Sequence, residues 1–247
     1  MRKGLAVVCT MAAFGVAGAP AAANHSWGGY HWARTANPFT LQLGDNVTAA
    51  WDSYLAKASS DWSKSTVLDT GVVAGASAKK RCAATSGRVE VCNGTYGNNG
   101  WLGVATIWLT GGTHITQGTV KVNDTYFSQA AYNNPQERAH VMCQEVGHTF
   151  GLDHQSEDGS DLNTCMDYAA EPQANNTAPN QHDYDELAII YKHLDSFTTV
   201  GTSSPSLAAK SHATPYKTVR KDSKKTSTIT EYFADGSRRV TGIVWAR

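Results

Sequence analysis

Gln144-Glu145-Val146-Gly147-His148-Thr149-Phe150-Gly151-Leu152-Asp153-His154 is the stretch from which the rest of the chain can be read. A helix turns about 100° per residue, so residues four apart share a face. Gln144 and His148 therefore point the same way, with Glu145 beside them. Gly147 leaves room for close packing. Gly151 can take the positive φ that stops a helix and turns the chain. That turn would carry His154 back toward His148. Three converging side chains and an adjacent carboxylate describe a zinc site with an open fourth position. Such a metal lowers the pKa of its water toward about 7, and Glu145 would take the proton and pass it to a leaving amine.

Outward from this stretch, Pro135 suits the first turn of the helix, where a missing N–H costs nothing, and Glu137 sits near its positive end. Residues 155–181 are polar and rich in Asp, Asn and Gly, a loop. Asp153, Glu157, Asp158 and Asp161 are read there as a solvated loop rather than a calcium site. Asn180 caps a final helix with Asp183, Asp185 and Glu186 in its first turn and Leu187, Ile190, Tyr191 and Leu194 on its apolar face. Upstream, Trp101–Leu109 and Ile115–Phe127 read as strands, with alternation at Val120 and Val122. Trp101-Leu102-Gly103-Val104-Ala105 is expected to be an edge strand that aligns substrate by backbone pairing. Cys82–Gly100, with Asn93-Gly94 and Asn98-Asn99-Gly100, reads as loop. Val67–Val73 reads as a strand. Val47, Trp51, Tyr54, Leu55, Ala58 and Trp62 recur at helical spacing behind a cap at Asp45 or Asn46. A further strand is expected within Tyr30–Leu43.

Glu145-x-x-His148-x-x-Gly151-x-x-His154 resembles the metzincin zinc-peptidase motif, His-Glu-x-x-His-x-x-Gly-x-x-His, at every position but the first. Cys165-Met166-Asp167-Tyr168 resembles that family's Met-turn, which lies under the metal. The order of elements over residues 30–198 is similar to a matrixin-like catalytic domain. The resemblance implies an α+β domain with a twisted sheet, an active-site helix and a Met-turn at Met166. It also implies Zn2+ held by His148 and His154, and peptide-bond hydrolysis with Glu145 as general base. Gln144 stands where the family has a zinc-binding histidine; its amide oxygen is a weaker candidate ligand. Tyr168 matches a tyrosine that some metzincins use as an extra ligand, and an oxyanion role is the other possibility. His140 lies eight residues before His148, about 12 Å along a helix, too far to share the ion, and is expected on the surface.

Arg2 and Lys3, the apolar run Leu5–Val16 and Ala21-Ala22-Ala23 have the order of a secretory signal, so residues 1–23 are expected to be removed and the protein to be secreted. No stretch approaches spanning length. No cysteine lies between Ala23 and the first expected strand, so latency through a cysteine pro-segment is not expected. Beyond Cys9, Cys82, Cys92, Cys143 and Cys165 remain, an even set that suggests two disulfides in an exported chain. Three pairings are formally open; Cys82–Cys92 would close a short loop and leave Cys143–Cys165.

The formal charge of zero hides an asymmetry. Residues 24–209 carry 10 Lys and Arg against 18 Asp and Glu; residues 210–247 carry 9 against 3. An acidic body with a basic tail suggests two units, or a tail docked on the body. Residues 24–200 are expected to form the catalytic domain and 201–215, rich in Ser, Thr, Ala and Pro, a linker. Residues 216–247 are expected to hold a β-hairpin turning at Asp235-Gly236, packed on the body because a lone hairpin is marginal. No phosphate-cradling loop or aromatic-interleaved basic patch points to nucleotides or nucleic acid. The expected partner is a protein or peptide substrate, and the expected state a monomer. The rival readings are an inactive metzincin-shaped binding protein and a cell-wall or matrix binder acting through the basic tail.

Overall fold

The motif helix begins where Asn134 adopts an extended conformation and its side chain accepts from the Glu137 amide at 2.8 Å, with Pro135 following at the first helical position. It is α3, Pro135–His148. The computed structural model describes residues 25–168, 173–201, 214–223 and 225–246. The proposed signal segment lies outside the described residues, as does most of the proposed linker. The other elements are β1 (His31–Trp32), β2 (Phe39–Asn46), α1 (Ala49–Trp62), β3 (Leu68–Ala74), β4 (Val89–Gly94), β5 (Trp101–Thr110), β6 (His114–Asn123), α2 (Asp124–Phe127), α4 (Gln181–Ile190), β7 (Lys217–Asp222), β8 (Thr226–Tyr232) and β9 (Arg238–Trp245).

The architecture is α+β: one mixed nine-stranded sheet carries the helices, in the order β3-β2-β4-β6-β5-β9-β8-β7, with β1 beside the start of β6. β3, β2, β4 and β6 run parallel; β5 reverses, and β9, β8 and β7 continue antiparallel. Trp51, Leu55 and Trp62 of α1 and Val141, Met142 and Val146 of α3 pack with Leu41, Leu43, Val91, Ile107, Val120 and Val122 of the sheet in one core. Each such side chain contributes about 1.5–3 kcal/mol on full burial. Disulfides join Cys82 to Cys92 and Cys143 to Cys165. The second ties α3 to the segment before Met166. None of the described helices is long and apolar enough to cross a membrane.

Several expectations need correction. β4 lies inside the stretch read as loop, between β2 and β6, and its first five residues are buried. Its Glu90 is tolerated there because Asn46, Arg88 and the Ala76 amide hydrogen-bond to the carboxylate. The cap of α1 is Thr48, not Asp45 or Asn46. Residues 124–127 are the short helix α2 rather than a continuation of β6. Leu194, placed on the apolar face of the last helix, lies beyond its end and is exposed. The C-terminal segment has three strands, and β5 is not an edge, because β9 pairs along it from Trp101↔Trp245 to Leu109↔Arg238.

Candidate metal centre

α3 stops at His148, and Gly151 follows with φ +95°. No other residue fits that turn: a Cβ at position 151 would lie 1.9 Å from the Tyr30 carbonyl oxygen. The turn is strapped from outside by residues 25–32, the segment leading into β1 together with β1 itself. Trp27 N donates to Gly151 O (2.7 Å), Asp153 N donates to His25 O (2.6 Å), and the Trp32 indole donates to Thr149 O (2.9 Å). The return of the chain brings Nε2 of His154 to 3.1 Å from Nε2 of His148.

The ring orientations are held by local partners. Nδ1 of His148 donates to the Leu152 carbonyl at 2.8 Å, which leaves Nε2 with the lone pair in the neutral ring. Burial, and then the neighbouring His154, hold the pKa of His148 well below the usual histidine value, so it stays neutral. Nδ1 of His154 faces the carboxylates of Asp153 and Glu157, each 3.4 Å away. Both outer nitrogens therefore look toward proton acceptors and both inner nitrogens toward each other, as paired imidazole ligands do. For bonds of about 2.0–2.1 Å in a tetrahedral site, two nitrogens would stand roughly 3.4 Å apart.

Gln144 is fully buried on the same helix. Its Nε2 donates to the carbonyls of Cys165 and Asp167, both at 2.9 Å, so the amide clamps the turn that carries Met166. Its Oε1 has no hydrogen-bond partner among the described residues. Glu145, also fully buried, has neither carboxylate oxygen in a well-formed hydrogen bond. Burial pushes its carboxyl well above the usual range, only partly offset by the backbone of Ala105. Met166 lies against α3: a Cβ on Gly147 would come within 2.7 Å of its Sδ and 2.6 Å of the Trp62 ring. The Tyr168 ring is 4.8 Å from that of His154, but its hydroxyl donates to the Lys225 carbonyl at 3.0 Å.

His140 is buried, not on the surface; Nδ1 donates to Asn176 O at 2.8 Å. It takes part in fixing the loop before α4. The strap at Trp27 and the approach of Lys225 and Thr226 leave no local signal in the sequence, because their partners lie far along the chain. Thr226 Oγ1 donates to Glu157 at 2.9 Å, and a cleft of about 260 Å³ lies between Asp153, His154 and Glu157 on one side and Lys221, Ser223 and Thr226 on the other. A larger cleft, about 600 Å³, is lined by Arg81, Trp108, Lys121 and Arg239 and includes none of the motif residues.

The donor set suits a divalent transition ion: two imidazole lone pairs converge, and an unpaired amide oxygen and an unpaired carboxylate lie buried on the same helix. No protein-family model matches the chain, and neither does any curated protein. Among the solved structures similar to it are the following two. Myroilysin has 13% sequence identity and a TM-score of 0.38, over 64% of this chain and 82% of that one. High choriolytic enzyme 1, a hatching enzyme zinc-protease from the medaka fish Oryzias latipes, has 10% identity and a TM-score of 0.36, over 66% of this chain and 94% of that one.

Proposed function

We propose that this chain is a secreted, metzincin-like zinc peptidase acting on protein or peptide substrates. One observation carries the reading: Nε2 of His148 and Nε2 of His154 meet at 3.1 Å, and Glu145, on the helix that ends at His148, is buried without a well-formed hydrogen bond. A carboxylate has no structural reason to be kept in that state, since desolvation disfavours its charge. It has a chemical reason if it moves a proton.

His148 and His154 would hold the metal, with Gln144 Oε1 as the third protein ligand. When bound, the ion supplies the Lewis acidity that lets water lose a proton near neutral pH. Glu145 accepts that proton and returns it to the amine of the broken peptide bond. Met166, whose Sδ packs against Gly147 of α3, would serve as the Met-turn beneath the metal. Tyr168 would assist at the carbonyl oxygen once its hydroxyl leaves Lys225. Residues 1–23 as an export signal and two disulfides fit a life outside the cell.

The test is metal content together with hydrolysis of an unstructured protein. Zinc that His148→Ala removes, and hydrolysis that a chelator abolishes and zinc restores, are expected. A chain that takes up no zinc at His148 and His154 overturns the reading.

A further inference from the structure

A second group of metal-type donors gathers where β1, the start of β6 and the segment after α4 meet. His114 Nε2 is 3.2 Å from Asp195 Oδ1, His193 Nε2 is 3.7 Å from it, and His31 Nε2 is 3.8 Å from it. His193 Nε2 and His31 Nε2 are 3.1 Å apart. His31, His114 and Asp195 each offer a donor atom within 4.8 Å of the others, and His193 lies beside two of the three, near the roughly 3.4 Å expected between ligands on a tetrahedral zinc ion. The supporting bonds also fit. His31 Nδ1 donates to Gly29 O at 2.9 Å, which turns the lone pair of Nε2 into the cluster. Buried Arg34 donates to Asp195 Oδ2 at 3.0 Å and to the carbonyls of Tyr191 and His193, so Oδ1 is left for the rings. Ligands oriented in this way by outer hydrogen bonds are the usual mark of a built metal site.

We infer that His31, His114, His193 and Asp195 form a second, structural site for a divalent transition ion of zinc's class. With the half-exposed His193 turned toward His114, three imidazole nitrogens and one carboxylate oxygen make a closed set, with no position required for substrate. The ion would join three stretches of chain, residues 31, 114 and 193–195. It would thereby anchor β1, whose preceding segment straps the turn between His148 and His154.

The experiment loads the whole chain with Co2+ or Zn2+ and counts ions against the variant His114→Ala/His193→Ala. His193 is half exposed and His114 partly exposed, and neither belongs to the buried core. The variant should bind one ion fewer than the wild type, whatever His148 and His154 hold. The Co2+ form should lose one set of tetrahedral absorption bands. Zinc should raise the wild-type Tm more than the variant's. The single variant His193→Asn, which keeps three donors, should weaken binding at least tenfold. Equal stoichiometry in folded wild type and variant overturns the proposal.

An independent observation concerns β7–β9. Gln144 and Glu145 are 0% exposed and His148 2%, so no peptide reaches them in this arrangement. The C-terminal strands are part of the cover: β9 pairs along β5, Lys225 Nζ donates to Tyr168 O at 3.0 Å, and Thr226 donates to Glu157. Resting on the peptidase reading, we propose that β7–β9 are a cover over the site. β9 takes the pairing positions on β5 that a peptide would use, and it must leave for substrate to enter.

Thr106 and Thr241 are register partners with hydroxyl oxygens 3.2 Å apart, so cysteines at both positions should form a reversible staple. The oxidised staple should hydrolyse no protein and bind no short peptide hydroxamate. Reductant should restore both, with wild type in the same reductant as control. Full activity and hydroxamate binding in the oxidised form overturn the cover. Hydroxamate binding that appears only on reduction, with no hydrolysis in either state, keeps the cover and refutes the peptidase reading.

Discussion

A Cβ on Gly103 would lie 2.3 Å from Oε1 of Glu145 and 2.8 Å from its Cδ: strand β5 gives up a side chain so that the carboxylate can rest against its backbone. Gly103→Ala should therefore displace Glu145 and leave the metal ligands where they are. Hydrolysis is expected to fall about 100-fold, the scale of an ångström-sized misplacement, with zinc content unchanged. Loss of zinc alongside activity would show that the notch supports the whole helix rather than the carboxylate.

Glu145→Gln keeps the shape of the side chain and removes the proton acceptor. The expected result is retained zinc and a rate lower by about 10²- to 10⁴-fold, the usual contribution of a general base. Wild-type rates on a protein substrate would rule out Glu145 in that role.

Gln144→His sets two effects against each other. An imidazole at this position can ligate more strongly than an amide oxygen, and zinc affinity should rise about tenfold or more. The carbonyls of Cys165 and Asp167 lose their donor, which costs about 1–3 kcal/mol for each buried group left unpaired. The metal-free variant should melt about 5–10 °C lower. Chelator competition and thermal melts separate the two. Equal zinc affinities would mean that Oε1 does not face the metal.

Glu90 predicts an acid limb. Burial pushes its carboxyl up, but hydrogen bonds from Thr85, Asn46, the Ala76 amide and Arg88 outweigh that and hold it below the usual value. A depressed folded pKa gives stability that is present above the unfolded value, about 4.3, and lost as pH falls through the folded one. Glu90→Gln should be less stable by about 1–3 kcal/mol at neutral pH. Its stability should also decline less than the wild type's between about pH 5 and pH 3. Parallel acid limbs in urea titrations would exclude this carboxylate as their source.

What the sequence makes legible is local. The spacing of Gln144, Glu145 and His148 lies within two turns of helix, and the glycine stop at Gly151 is the local sign of the turn that returns His154. The cap at Asn180, the stop at Gly151 and the alternation around Val120 are equally local. β4 escapes because its signals contradict its place: Glu90 and Asn93-Gly94 read as surface, and the partners that neutralise Glu90 come from residues 46, 76 and 88. His140 escapes because the carbonyl it binds is 36 residues away. The meeting of His31, His114, His193 and Asp195 spans more than 160 residues, and the pairing of β9 with β5 joins positions about 135 apart. Periodicity contains no information about either. The contacts of Gly103 with Glu145, Gly44 with Glu90 and Gly118 with Val89 are distant but have a local sign, since a glycine inside a strand marks a close approach by another group.

Because β9 closes β5, the outermost strands on the main sheet path are β3 and β7. β7 carries Lys217, Arg220 and Lys221, whose side chains are exposed or partly exposed, on a strand only six residues long. A short, cationic border strand is poorly suited to pairing with another copy of itself, since like charges would be brought into register at 4.7–4.9 Å. The excess positive charge of the tail then has a colloidal meaning: it keeps molecules from adding to one another's sheets at high concentration. Neutralising those three positions would be expected to make that border sticky.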